Sequence, residues 1–234
     1  MIKKNEWDSN HFGINIAEVD IAELERDMKM ISLFAEKENI SVIQSCCDIS
    51  DIKSINLLEK NGFYFADLKM TYFLDLENIN IEKAEVVFAV AKDVFLLKKI
   101  AAKSFVDKSR YYHDFFEKEK ADKLFEIWIE KAVNGTFDDF CIKTEKDGVV
   151  AGFITGKKID DLSARIGIIG VDDSFQSRGA GTKLLESLFY FYKSEGVKSV
   201  YVSTQGKNIG ANNFYIKNGF KIKNIEAWFY KKYN

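Results

Sequence analysis

A chain of 234 residues, 47% hydrophobic and 30% charged, has an ordinary globular composition and the length for one large domain or two small ones. Its 34 basic residues are offset by 36 acidic ones and scattered, so a nucleic-acid partner is not expected. No apolar run approaches the ~18 residues that span a bilayer and no signal-peptide core follows Met1 to Trp7, so no membrane partner is expected and the expected compartment is the cytoplasm.

From the N-terminus, Glu6 to Gly13 sets Trp7 and Phe12 around a polar turn, and Ile14 to Asp20 alternates as a strand. Ile21 to Asn39 has helical periodicity, Ser41 to Ser45 is a short strand, and Ile52 to Lys60 is a helix ending at Asn61-Gly62-Phe63. Met70 to Asp75 is the next strand. Cys46 and Cys47, with Cys141 further on, make an odd set that is no disulfide framework. With only His11 and His113 and no zinc spacing, no metal is expected.

Glu77-Asn78-Ile79-Asn80 is the expected boundary between a domain over 1–78 and one over 79–234. Val86 to Val90 opens the second as a strand, and Asp93 is placed to cap a helix from Val94. Ser109-Arg110-Tyr111-Tyr112-His113 forms a loop ahead of an amphipathic helix over Leu124 to Val133. Phe140 to Lys143 and Val149 to Thr155 pair as a hairpin about Asp147-Gly148, a turn dipeptide of the primed type.

Next, the apolar strand Ile166 to Val171 leads through Gln176-Ser177-Arg178-Gly179-Ala180-Gly181 into a helix with apolar residues at 184, 185, 188, 189 and 192. A strand, a glycine-rich turn and a helix start make an anion cradle: glycines let the main chain approach, and helix N-terminal amides point at the ligand. Arg178 can add a formal positive charge. The stretch lacks the Gly-Lys-Ser/Thr of a triphosphate loop and the early chain position of a dinucleotide fold.

Gln176 to Gly181 resembles the Gln/Arg-x-x-Gly-x-Gly/Ala loop of the GCN5-related N-acetyltransferases (GNAT), and Asn208 to Phe220 is similar to that family's last helix and strand. The resemblance implies the GNAT fold, α/β or α+β by classifier, with a mixed, mostly antiparallel sheet flanked by helices. The order strand, helix, Asn-Gly-Phe, strand occurs at Ser41 to Phe73 and again at Ser199 to Tyr230, so 1–78 is expected to be a partial GNAT-like copy without a CoA loop.

By the same resemblance, acetyl-CoA is the co-substrate, its pyrophosphate on Gln176 to Thr182 and its pantetheine arm on Asn208. Backbone N–H groups of Ile169, Gly170 or Val171 polarise the thioester, and Tyr215 is the proton donor to the departing thiolate. Glu226, Asp138, Asp139 and Glu130 are the acids considered as general base, with a water chain as the alternative. Within the family the chain is most similar to members that acetylate nucleotide-linked amino sugars of the dTDP-4-amino-4,6-dideoxyhexose type. For such an acceptor Arg110, Tyr111 and Tyr112 offer a cation for the diphosphate and aromatics for stacking. Another small amine, a protein N-terminus, or a CoA-binding module without catalysis are the competing readings, and a homodimer is left open.

Overall fold

A computed structural model describes residues 1–233. The first part runs β1 (Ile2–Lys4), α1 (Glu6–Phe12), β2 (Ile16–Val19), α2 (Ile21–Arg26), α3 (Met28–Lys37), β3 (Val42–Asp48), α4 (Ile52–Lys60) and β4 (Tyr64–Asp75). The remainder runs β5 (Val87–Phe88), α5 (Val94–Ser104), α6 (Lys118–Val133), β6 (Phe140–Lys146), β7 (Val149–Lys158), β8 (Ser163–Val171), α7 (Ala180–Ser194), β9 (Ser199–Gln205), α8 (Ile209–Lys217) and β10 (Lys221–Lys232).

All of these strands join one sheet in the order β1-β2-β3-β10-β4-β9-β8-β7-β6-β5. Only β2–β3 and β8–β9 pair in parallel. Most notable for the site, β10 lies between β3 and β4, and β4 lies between β10 and β9, so each end of the chain lends a strand to the other.

Local chemistry accounts for where the elements depart from periodicity. Glu6 to Gly13 is a helix, because Asn5 Oδ1 accepts the Asp8 amide at 3.0 Å and Gly13 ends the helix at φ 67°. The run Ile21 to Asn39 breaks at Asp27, whose carboxylate accepts the amides of Lys29 and Met30 and starts a new helix. β4 begins at Tyr64 rather than Met70, since β10 offers it a partner along that length. The Asp147-Gly148 hairpin forms as expected, with φ of 53° and 75°.

Alternation along the strands gives the sheet two faces. On one, α7 and α8 pack Leu184, Leu188 and Tyr192 over Tyr72, Val200 and Val202, while α2 to α4 pack Leu24, Ile31 and Leu58 over Ile43 and Phe229. On the other, α5 and α6 bury Leu97, Ile100 and Ile129 against Phe153 and Ile168, and a separate cluster joins Phe12 and Phe116 to Tyr230. Each such buried side chain contributes about 2 kcal/mol. Between these last two clusters the second face stays polar and open.

Candidate active site

The site originates in a defect of the sheet. β8 and β9 pair in parallel from Ser163/Ser199 to Ile166/Val202 and no further. At that point β8 carries an extra residue relative to β7, Gly167 and Ile168 standing opposite Thr155, and the Ile168 amide donates to Thr155 Oγ1 at 2.9 Å. A bulge bends the strand that carries it, so β8 leaves β9 and a cleft of about 750 Å³ opens in the fork.

Beyond the bulge, one edge of β8 is left without a strand. The Asp172 amide donates to Ala151 O at 3.0 Å, and Gly170 pairs with Phe153. Antiparallel ladders alternate, so the N–H groups of Ile169 and Val171 point the other way, into the cleft. Gly170 is different from the expectation: its amide turns toward β7, and its part is to have no side chain, since a Cβ would meet the Phe153 ring at 2.7 Å.

The glycine-rich turn closes one end of this cleft. Ser177 at φ 59° and Gly179 at φ 84° put two left-handed residues just ahead of α7, and no side chain caps that helix. The first amides of a helix have no intrahelical acceptor, so those of Ala180, Gly181 and Thr182 are free for an anion. Gly181 lets α8 approach, a Cβ there lying 3.0 Å from the Phe214 ring. The Gln176 side chain donates to Asp173 Oδ1 at 2.9 Å and to Val171 O at 3.3 Å, tying the turn to the strand end. Thr182 Oγ1 donates to Asn218 at 3.2 Å. Arg178 is exposed and stands off the cleft wall.

Tyr215 and Asn208 come to the same cleft from α8. Tyr215 is 3% exposed, packed against Tyr72 and Phe220, and its hydroxyl has no hydrogen bond among the described residues. Burial pushes its pKa above the usual 10. Asn208 is the N-cap of α8, accepting the Ala211 amide at 3.3 Å. An uncapped helix start and an unpaired strand edge thus fit a pyrophosphate and an extended amide-bearing arm.

Residues 105–220 match the acetyltransferase (GNAT) family. The chain carries a GNAT-family acetyltransferase domain. A dTDP-fucosamine acetyltransferase of Escherichia coli O6:H1 is 26% identical over 226 residues, which cover 96% of this chain and 95% of the relative. Among solved structures, a GCN5-related N-acetyltransferase from Sphaerobacter thermophilus superposes with a TM-score of 0.66 at 16% identity, over 93% of this chain and 73% of that one. A tandem GNAT protein from the clavulanic acid biosynthesis pathway gives 0.61 at 13% identity, over 94% and 76%. The fold is the GNAT fold, and the protein is an acetyltransferase.

On the acceptor side the acetyltransferase departs from expectation. Arg110 lines the cleft, but its guanidinium is already engaged, donating to Gln44 at 2.7 Å, Tyr111 at 2.6 Å, Tyr230 and the buried Asp8. It lies 4.2 Å from the centroids of both Tyr111 and Trp228. This cation therefore joins the loop to α1, β3 and β10, and has little left for a diphosphate. Tyr111 hydrogen-bonds Asp8 at 2.8 Å, and Tyr112 turns away from the cleft to Asp122 at 2.6 Å.

The acids considered as base are also accounted for. Asp138 is wholly buried and accepts from Trp128, Thr155 and Arg165 at 2.6 to 2.8 Å. Asp139 accepts the Lys158 amide, Glu130 pairs with Lys98 at 3.0 Å, and Glu226 pairs with Lys69 at 2.9 Å. Of these, Glu226 faces the open sheet surface next to the cleft. The bulge residue Thr155 was not read from the sequence, because a threonine in an apolar strand carries no signal of which amide it will meet.

Proposed function

We propose that this acetyltransferase moves the acetyl group of acetyl-CoA to the amine of a nucleotide-linked amino sugar of the dTDP-4-amino-4,6-dideoxyhexose type. The observation that carries the reading is the fork itself: the unpaired amides of Ile169 and Val171, the anion cradle at Ala180 to Thr182 and the Tyr215 hydroxyl share one cleft. The resemblance to the dTDP-fucosamine acetyltransferase over nearly the whole of both chains supports the choice of acceptor.

In this reading the amides of Ala180, Gly181 and Thr182 bind the pyrophosphate, with Arg178 adding long-range charge, and Asn208 meets the pantetheine arm. The Ile169 and Val171 amides draw charge onto the thioester oxygen as the amine attacks. The C–N bond forms as the C–S bond breaks, and Tyr215 supplies the proton that the thiolate needs to leave. The proton lost by the amine passes to water in the open groove.

Residues 1–78 act as the partial copy, without a glycine-rich CoA loop of their own, and 79–234 as the acetyltransferase domain. No helix among the described residues is long and apolar enough to cross a membrane, and a cytoplasmic enzyme acting on a free sugar nucleotide accords with that. The test is thiol release from acetyl-CoA with a panel of dTDP- and UDP-linked amino sugars, simple amines and N-terminal peptides. Turnover is expected with a dTDP-linked 4-amino sugar; turnover with peptides alone refutes the assignment.

A further inference from the structure

The polar sheet face next to the fork holds a second cavity, of about 480 Å³, which shares Trp128, Gly167 and Ser203 with the first. Its floor is built by strand alternation, and the transverse rows can be read from the register. Ser203 stands beside Thr71 and then Asn224, and Gln205 beside Lys69 and then Glu226, in order across β9, β4 and β10. The Thr71 and Ser203 hydroxyls lie 3.0 Å apart. Tyr201 and Arg165 complete the floor toward β8.

Three cationic heads, Lys69, Arg165 and Lys223, face this cavity against one carboxylate, Glu226. Lys69 is paired with Glu226 at 2.9 Å, and Arg165 lends one nitrogen to the buried Asp138 at 2.8 Å. Lys223 has no carboxylate partner among the described residues; its ammonium sits 4.4 Å from the Tyr201 ring centroid and 3.1 Å from the Tyr201 hydroxyl. Arg165 is left with donors to spare, since guanidinium carries five.

Distance decides which part of an acceptor belongs here. Neighbouring strands are spaced ~4.8 Å apart, so β4 and β10 lie about one and two spacings beyond β9, roughly 5 to 10 Å from the fork. A pyranose ring spans about one such spacing, so a sugar presenting its 4-amine at the fork places its anomeric phosphates over β4 and β10.

We infer that the β4–β10 side of this cavity, where Lys69 and Lys223 stand beside Tyr201, is the diphosphate subsite for the acceptor, taking a nucleoside diphosphate. The inference rests on the nucleotide-sugar reading of the fork and adds the residues that recognise the anion. It transfers to these side chains the part that the loop suggested for Arg110. It also gives residues 1–78 a direct task, because Lys69 and Thr71 come from β4.

Calorimetry with dTDP on the protein saturated with CoA tests this, since CoA then occupies the cradle at Ala180 to Thr182 and leaves dTDP only the acceptor side to bind. Wild type is expected to bind dTDP, Lys223→Ala and Lys69→Ala to weaken it about tenfold each, as expected for a charge-assisted hydrogen bond. Lys223→Arg should restore most of the binding. Acetyl-CoA affinity measured on the same variants reports that they are folded.

Equal dTDP affinity in folded variants overturns the subsite, as does dTDP binding that appears only when CoA is absent. Amino-sugar turnover with no lysine-dependent dTDP binding removes the subsite and leaves the acetyl transfer standing. Lysine-dependent dTDP binding without turnover of any amino sugar keeps the subsite and removes the proposed reaction.

Discussion

Tyr215, its ring packed between Tyr72 and Phe220, lines the cleft with a hydroxyl that has no partner among the described residues, and desolvation holds its pKa above that of a free tyrosine. A phenol in that setting stays protonated through the neutral range and yields its proton only to a strong base forming beside it. Tyr215→Phe is expected to lower kcat about 100-fold while calorimetry shows unchanged acetyl-CoA affinity, because the hydroxyl holds nothing in the resting fold. The wild-type rate should show no loss from Tyr215 ionisation below pH 10, since its folded pKa is raised. An alkaline limb that falls at pH 8 to 9 and disappears in the Phe variant contradicts this placement. Tyr215, Asn208 and the glycine turn were legible because each belongs to a short contiguous motif. Lys69, Arg165 and Lys223 were not, because they come from three strands and meet only through sheet register.

Among the elements, α5 depends on one buried ion pair for its position. Asp93 accepts from Lys143 of β6 at 2.9 Å and from the Val90 amide at 2.9 Å, and both charged side chains are under one-tenth exposed. Burial by itself would raise the Asp93 pKa, but the Lys143 ammonium and the Val90 amide outweigh it and hold the carboxyl below its ordinary 3.8. A carboxylate with a depressed folded pKa contributes stability that is full above the unfolded value and lost as the pH falls through the folded one. Lys143→Met leaves Asp93 charged and buried without that partner, and is expected to cost about 3 kcal/mol in urea unfolding at pH 7. The deficit should shrink as the pH falls, beginning above 3.8, because burial without Lys143 raises the variant's Asp93 pKa; a deficit constant with pH would show the loss to be packing alone. Periodicity located α5 and α6, but Asp93 was expected as a simple cap. Its actual partner, Lys143, lies fifty residues later and could not be seen from local sequence.

At the scale of the whole molecule, β4 and β10 each complete a sheet region begun by the other end of the chain. Without residues 1–78, β9 and β10 lose the strand between them, and Tyr72 leaves the core that holds Tyr215. A chain of 79–234 is therefore expected to be insoluble or partly unfolded by circular dichroism, with no acetyl-CoA binding. A truncated chain that binds acetyl-CoA with native affinity would show that the exchanged strand is dispensable. The buried Arg110 works in the same direction, joining Asp8 and Gln44 of the first part to Tyr230 of the last.

What the sequence determined by itself was local: the glycine turn before α7, the helix bearing Tyr215, the Asp-Gly hairpin and the order of the strands and helices after Ser41, while β1, helix α1 and the break between α2 and α3 escaped it. The features it determined depend on backbone dihedrals, caps and periodicity, which act over a few residues. Tertiary structure decided the fork at the β8 bulge, the exchange of β4 and β10, the engagement of Arg110 and the charged floor beside the cleft. Those depend on which strand lies next to which, and hydrogen bonding across a sheet joins residues that the chain itself keeps far apart.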